Sequence, residues 1–497
     1  MTLLSRSALK KIAGKVKVPK YDQTALQPGI IHIGLGNFHR AHMAAYMDDL
    51  FSKEGDGEFE KNKKWGIVGA GIMSFDQTKR DLLEPQNWMQ TLVERDGDST
   101  NPRVLKSMMD FLPVNAEKIE QAMHDPNIKI VSLTVTEGGY FLNDGKFDPN
   151  HPQIVKDIQD PQNPDTVYGV ICKAMKYRKD NGMKPFTIMS CDNIPHNGSV
   201  VKEVCLGLAN AIDAELGTWM EQNVAFPNSM VDRITPGTTE EQIAYVKDEY
   251  GYDDKSPIFC EPFRQWVLED KFSDGRPDLD QLDNVKFVED VAPYEFMKIR
   301  ILNGGHASLC YPSALLGLPY VHSAMEHPTV GPFLDTLERQ EIIPTVGPVP
   351  DTNLTDYWKI IESRFSNPAI ADTIRRICFG GSNNQPKFVI PVVGDNLKAG
   401  RSVDGHAIVS AAWCAYCMGQ TEAGASIEAN DPNWDLLSAT ATEAKNDPQA
   451  WLNMSQTYGS IGQDPIFSDA FSRALEKILM GGVEGAMKDY IEEGSGK

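Results

Sequence analysis

A chain of 497 residues exceeds what one hydrophobic core normally serves, so two or three large domains are expected. Its 48 basic residues against 69 acidic ones leave a net charge of -21, which argues against nucleic acid or an anionic membrane as partner, because both are bound by positive surfaces. Apolar residues make up 41% of the chain, as in ordinary globular enzymes, yet no apolar run reaches the roughly 18 to 20 residues of a membrane span.

The first 21 residues hold six basic side chains and no acid. They read as a short surface helix leading into the first domain, the alternative being a transit peptide. After Pro28-Gly29 the run GIIHIGLG is a β-branched strand ending in glycines, and NFHRAHMAAYMDDLF follows with helical periodicity. Further strand-like runs occupy 63 to 71, 129 to 140 and 184 to 193, with helix-like segments at 115 to 124, 165 to 179 and 198 to 222. Strands alternating with helices imply a parallel sheet, with function gathered at the strand C-terminal ends. Beyond about residue 290 helical segments dominate, at 294 to 317, 354 to 378, 403 to 419 and 465 to 492. The expected architecture is α/β: an N-terminal Rossmann-like domain with a parallel-rich sheet over 1–290 and a mostly α-helical domain over 291–497.

Gly34-Leu-Gly36 at a strand-to-helix turn suits a dinucleotide pyrophosphate, because backbone without β-carbons can approach the anion and a helix N-terminus offers free N–H groups. The third glycine of G-x-G-x-x-G is replaced by His39, so the motif alone is weak. The acidic residue expected on the ribose is best matched by Asp76, 42 residues after Gly34, with FSKEGDGEFEKNKK as an insertion accounting for the excess. A carboxylate there favours NAD over NADP, whose 2′-phosphate it would repel. A solvated loop aspartate is the plainer alternative.

The segment YEFMKIRILNGGH places Lys298, Asn303 and His306 in what otherwise reads as buried helix. On a regular helix His306 falls about 80°, Asn303 about 140° and Glu295 about 60° from Lys298, all on one side, while Arg300 at about 200° points away. Burial favours a neutral amine and draws a lysine down from about 10.4 toward neutrality, where it can take a proton from an alcohol. His306 alone would more simply be a satisfied core histidine; three polar groups on one face favour a general base with two hydrogen-bonding helpers.

Rival motifs are weaker. Tyr294 and Lys298 satisfy Y-x-x-x-K, but late in the chain and without the matching glycine turn. Cys260, His306 and Cys310 could in principle converge on zinc, yet no spacing favours a metal. Cys414 and Cys417 form C-x-x-C inside an apolar run that reads as packed helix. The eight cysteines show no disulfide rhythm, which suits a reducing compartment, the cytoplasm by default.

Seven blocks in order, IHIGLGNFHRAH, IVSLTVTEGGY, FTIMSCDNIPHNG, FPNSMVDRITP, EPFRQWVLEDKFSDGRP, MKIRILNGGH and LTDYWKIIESRFSNPAIAD, resemble the polyol-specific long-chain dehydrogenases of the mannitol 2-dehydrogenase type over nearly the whole length. The family pattern K-x-x-x-x-N-x-x-H falls on Lys298, Asn303 and His306, with a further asparagine at Asn193. The resemblance implies metal-independent oxidation of a secondary alcohol with NAD. In that scheme Lys298 is the base, Asn193 and Asn303 donate to the alkoxide, His306 holds the substrate oxygen or the lysine, and Glu295 gates the proton. It further implies cofactor contacts from Gly34, Gly36, Phe38 and Asp76, a site-orienting Asp232, and polyol contacts from Arg376 and Lys387. Where the family has serine before the histidine this chain has Gly305, and the Gly304-Gly305 pair is expected to weaken the helix between Asn303 and His306. The expected partner is a small polyol or ketose, with the protein a monomer or small homo-oligomer. A sugar-acid reductase of the fructuronate or tagaturonate type is the enzymatic alternative, and a non-catalytic NAD-binding protein the alternative of another class.

Overall fold

The computed structural model describes residues 2–55, 57–97, 99–143 and 145–495, and the chain divides into two compact units, residues 1–292 and 293–497.

Among the described residues eleven strands carry the first unit: β1 (Pro28–Ile33), β2 (Gly66–Ala70), β3 (Gln90–Asp96), β4 (Ser99–Leu105), β5 (Met108–Phe111), β6 (Ile130–Leu133), β7 (Thr187–Ser190), β8 (Ser229–Asp232), β9 (Ile258–Cys260), β10 (Gln265–Glu269) and β11 (Val285–Val288), besides a few two-residue strands. The main sheet runs β7–β6–β1–β2–β5 with every neighbour parallel. The chain therefore builds outward from β1 through β2 to β5, then returns to the other side of β1 for β6 and β7. That reversal puts a crevice at the C-terminal ends of β1 and β6, the position where open α/β sheets bind ligands.

Both faces of this sheet are covered, so its strands are apolar nearly throughout. Ile31, Ile33, Val131 and Leu133 join one core cluster with residues of helices Val167–Asp180 and Asn197–Ile212, while Ile30, Ile67 and Ile130 join a second with helix Met43–Ser52. A three-stranded sheet, β8–β10–β11, and another, β9–β3–β4, complete the unit. The basic N-terminal segment belongs to it too, since Leu4, Ile12 and Val16 are buried with Met89, Val93 and Tyr252.

Several sequence expectations need correction. The third run is strand only over Ile130–Leu133. The segment 198 to 222 is two helices, because Asp213 turns extended and accepts the amides of Glu215 and Leu216 as the cap of Ala214–Asn223. Gly482, at φ +84°, divides 465 to 492 in the same way.

The second unit is helical, without a strand among the described residues. At its centre lies helix Asp404–Cys417, buried from Gly405 through Cys417 and packed against helices Gly304–Leu315 and Pro465–Gly481. Cys414 and Cys417 are therefore core residues. All eight cysteines are free and buried.

The segment expected as one regular helix, 294 to 317, is continuous but not regular. Ala292–Met297 and Gly304–Leu315 are α-helical, and Lys298–Asn303 between them is π-helical. The irregularity precedes the glycine pair, which itself sits in regular helix. Two more π-helical segments, Glu338–Ile342 and Gln385–Val389, pack near it.

Candidate active site

Close approach of backbone to backbone builds the glycine turn in the first unit. Gly34 has φ +94°, and a β-carbon on it would stand 2.1 Å from the Thr134 carbonyl oxygen at the end of β6. Residue 34 must be glycine for both reasons. Gly36 differs: a β-carbon there would meet nothing within 4 Å, so the turn presents open backbone where helix Asn37–Ala41 begins. Phe38 is half-buried and stacks on His42 with centroids 4.9 Å apart.

His39, in place of the third glycine, stacks on His32 of β1 at 3.4 Å and 13° between ring planes. A helix-to-strand contact that glycine would make by smallness is made here by two flat rings. His32 in turn spans the crevice floor: Nδ1 lies 2.8 Å from Ser132 Oγ, and Nε2 3.0 Å from Thr134 Oγ1 and 3.2 Å from the Gly34 carbonyl. Burial pushes His32 and His42 down to about 3 and holds His39 well below its ordinary value, so these rings are neutral.

Asp76 is not a solvated loop residue. It is buried in the first turn of helix Ser74–Leu83, and its Oδ2 accepts the Met73 amide at 2.9 Å. Burial raises its carboxyl above the usual range against the lowering effect of backbone amides. The helices Met43–Ser52 and Glu58–Asn62 account for its distance from Gly34.

Asn193 is exposed, three residues beyond β7. Its neighbour Asp192, missed in the sequence, locks the loop: the buried carboxylate accepts the amides of Val135 and Thr136, each at 3.0 Å, and the Tyr140 hydroxyl at 2.7 Å. These bonds tie the chain after β7 to the chain after β6. Its partners lie 52 to 57 residues earlier in the chain, so the sequence alone gives no signal for it. Asp232 ends β8 and is buried, next to Arg233, which donates to the carbonyls of Ala41 and Glu261 and to the Glu94 carboxylate.

In the second unit Glu295, Lys298 and Arg300 are buried, while Asn303 and His306 are half-buried. A π turn hydrogen-bonds to the fifth residue rather than the fourth, so the regular-helix angles do not hold across it. Widening the turn draws residues five apart toward one side, which brings Asn303 nearer the line of Lys298 than a regular helix would. His306 follows Asn303 by three residues in regular helix, a neighbouring position on its face. Its ring stacks on Phe365 at 4.0 Å and 15°. Arg300 is taken up by Asp395 Oδ2 at 2.6 Å and lies over the Phe296 ring.

The remaining candidates divide. Arg376 makes a two-pronged ion pair with Asp372 on the preceding turn, at 2.6 and 2.5 Å, and Lys387 is exposed on the π turn Gln385–Val389. Tyr294, of the Y-x-x-x-K pattern, donates its hydroxyl to the Pro350 carbonyl at 3.1 Å. Among the described residues no three His, Cys, Asp or Glu side chains gather as the ligands of a metal would.

Residues 28–281 match the profile of the mannitol dehydrogenase Rossmann domain, and residues 290–479 that of the mannitol dehydrogenase C-terminal domain. A mannitol 2-dehydrogenase of Cereibacter sphaeroides is 49% identical over 476 residues, covering 95% of this chain and 98% of that enzyme. Among solved structures, the Pseudomonas fluorescens mannitol 2-dehydrogenase in ternary complex with NAD and D-mannitol is 40% identical, covers 99% of this chain and 100% of its own, and superposes with a TM-score of 0.86. A D-sorbitol dehydrogenase in substrate-free form, 34% identical, covers 98% of this chain and 100% of its own at a TM-score of 0.89.

Proposed function

The chain belongs to the mannitol dehydrogenase family, and on that premise we propose that this NAD-dependent polyol dehydrogenase interconverts D-mannitol and D-fructose, with Lys298 as general base and no metal ion. The observation that carries the assignment of the base is the burial of Lys298 at the head of the π turn that ends at Asn303, three residues before His306.

NAD supplies the acceptor for the hydride from the carbinol carbon. Lys298, as the neutral amine, takes the hydroxyl proton, so the alcohol loses a hydride and a proton and leaves as the ketose. The side-chain amides of Asn193 and Asn303 donate to the oxygen as negative charge develops on it. His306, held flat on Phe365, holds that oxygen or the lysine, and Glu295, one turn before Lys298, passes the proton outward. Gly34, Gly36 and Phe38 form the dinucleotide turn, and Asp76 faces the ribose. Asp232 orients the site, and Lys387 and Arg376 contact the polyol.

The two arginines favour a polyol over a sugar acid. Recognition of a substrate carboxylate would need a cation to spare, and Arg300 and Arg376 each face a carboxylate of their own unit. D-Sorbitol and D-arabinitol are secondary substrates in this reading. The free, buried thiols support a reducing compartment, the cytoplasm; the protein acts there as a monomer or small homo-oligomer.

The test is NADH formation with D-mannitol, D-sorbitol and D-arabinitol, set beside NADH consumption with D-fructose and fructuronate. Mannitol and fructose should be the best pair, and Lys298→Ala should lower turnover roughly 10³-fold in both directions while NADH still binds. Preference for fructuronate, or normal turnover without the lysine, would reject the reading.

A further inference from the structure

The mechanism leaves one buried acid of the second unit unused. Glu338 opens the π-helical segment Glu338–Ile342, is fully buried, and among the described residues neither of its carboxyl oxygens has a hydrogen-bond partner. Burying a carboxylate without partners is far more costly than burying the neutral acid. Burial, with the nearby Asp335 charge adding to it, raises the Glu338 carboxyl well above its ordinary value. Asp335 itself is occupied by the Trp358 indole at 2.7 Å and by Arg339.

The acid lies against the helix that carries His306. A β-carbon on Gly305 would stand 2.8 Å from Glu338 Oε1 and 3.5 Å from the edge of the Phe365 ring. Gly305 has an ordinary helical backbone, so its missing side chain answers this close approach rather than a turn. The notch is thus walled by Glu338 on one side and by Phe365 on the other, and Phe365 is the ring on which His306 stacks. Gly304 is different, since a β-carbon there meets only backbone oxygens at 3.5 Å or more.

We propose that Glu338, wedged against the bare backbone of Gly305, is a positioning residue that sets the Phe365 and His306 rings. This rests on the reading of His306 as part of the site. Glu338 fills the space that a side chain at Gly305 would take and acts through the two rings.

The experiment is a double-mutant cycle on the full-length enzyme with Glu338→Ala, Gly305→Ala and their combination, alongside Glu338→Gln. Turnover at saturating mannitol, KM for mannitol, NADH affinity and thermal midpoint are read for each, and infrared spectra of the parent and Glu338→Gln are compared. Glu338→Gln, which keeps shape and neutrality, should hold turnover within about threefold. Glu338→Ala and Gly305→Ala should each lower kcat about tenfold or more with NADH affinity unchanged, and the double variant should be no worse than either. The protonated-carboxyl band of the parent should vanish in Glu338→Gln. Additive effects, a fall in thermal midpoint with kcat intact, Glu338→Gln as poor as Glu338→Ala, or no such band would each overturn the proposal. If the parent leaves mannitol untouched, the functional reading fails instead, and the thermal cycle and infrared band still decide where the acid sits and in which form. Glu338→Gln and Gly305→Ala serve where Glu338→Ala does not fold.

Discussion

The glycine turn of the first unit and the Lys298 segment of the second are built by opposite means. At Gly34 the shape is set by what is missing: no β-carbon fits beside the Thr134 carbonyl, and the rings of His32 and His39 fix the floor beneath. Around Lys298 it is set by what is added, a π turn of six residues between two α-helical stretches, with the buried acid of Glu338 against the turn that follows. A surface of close-packed backbone, as at Gly34, is sensitive to an added atom, whereas one made of side chains is sensitive to the loss of one. Breaking each in its own way should therefore separate cofactor binding from turnover.

The largest effect is expected at Lys298. Lys298→Ala, which removes the proposed base, should lower turnover by roughly 10³-fold, within the range for general-base catalysis, with NADH affinity within about twofold of the parent. Steady-state rates and NADH fluorescence titration read the two quantities, and a parallel loss of affinity would erase the contrast. Gly34→Ala should do the reverse, weakening NADH at least about tenfold and lowering stability by about 1–3 kcal/mol, because it combines an unfavourable φ with a backbone clash. Urea unfolding and the same titration check it; unchanged NADH affinity would remove the turn from the cofactor site.

A gentler contrast comes from acid. His32 and His42 have folded-state pKa values of about 3, below the unfolded value of about 6.5, so the unfolded chain binds more protons between those limits. Their contribution is fully present above about pH 6.5 and is lost as pH falls toward 3, at up to about 1.4 kcal/mol per pH unit for each ring. His32→Asn should therefore flatten the fall of thermal midpoint between pH 6.5 and 4; an unchanged slope would mean the ring already takes up a proton in the folded state. The smallest effect is expected from Gly304→Ala, which should stabilise the helix by about 0.5–1 kcal/mol, since its β-carbon makes only ordinary contacts. Chemical denaturation measures it, and destabilisation would mean that Gly304 is as crowded as Gly305.

Four of the five strands of the main sheet were legible because each is an apolar run ending at a turn, as in Ile30–Ile33 and Ile130–Leu133. The fifth, Met108–Phe111, was not, since MMDF is short and lacks a β-branched residue. The hairpin β3–β4 hides for another reason: Gln90 and Thr91 are polar yet buried, which breaks the expected alternation. In the candidate site, residue types and order were readable, but the π turn was not, because its six residues are as helix-like in composition as their neighbours. By composition the glycine pair is a weak point of the helix. Only tertiary neighbours, Glu338 above all, show that Gly305 serves close packing. Asp192 and His32 escaped notice because their roles depend on strands brought together across 57 and 100 residues of sequence.

The thiols have a practical consequence. Cys172, Cys191, Cys205 and Cys260 lie in the first unit, and Cys310, Cys378, Cys414 and Cys417 in the second, every one sheltered from solvent. If the two units open separately, a brief pulse of alkylating reagent during denaturation would add mass in two steps of four labels, and peptide mapping would assign each step to its half of the molecule without any engineered label.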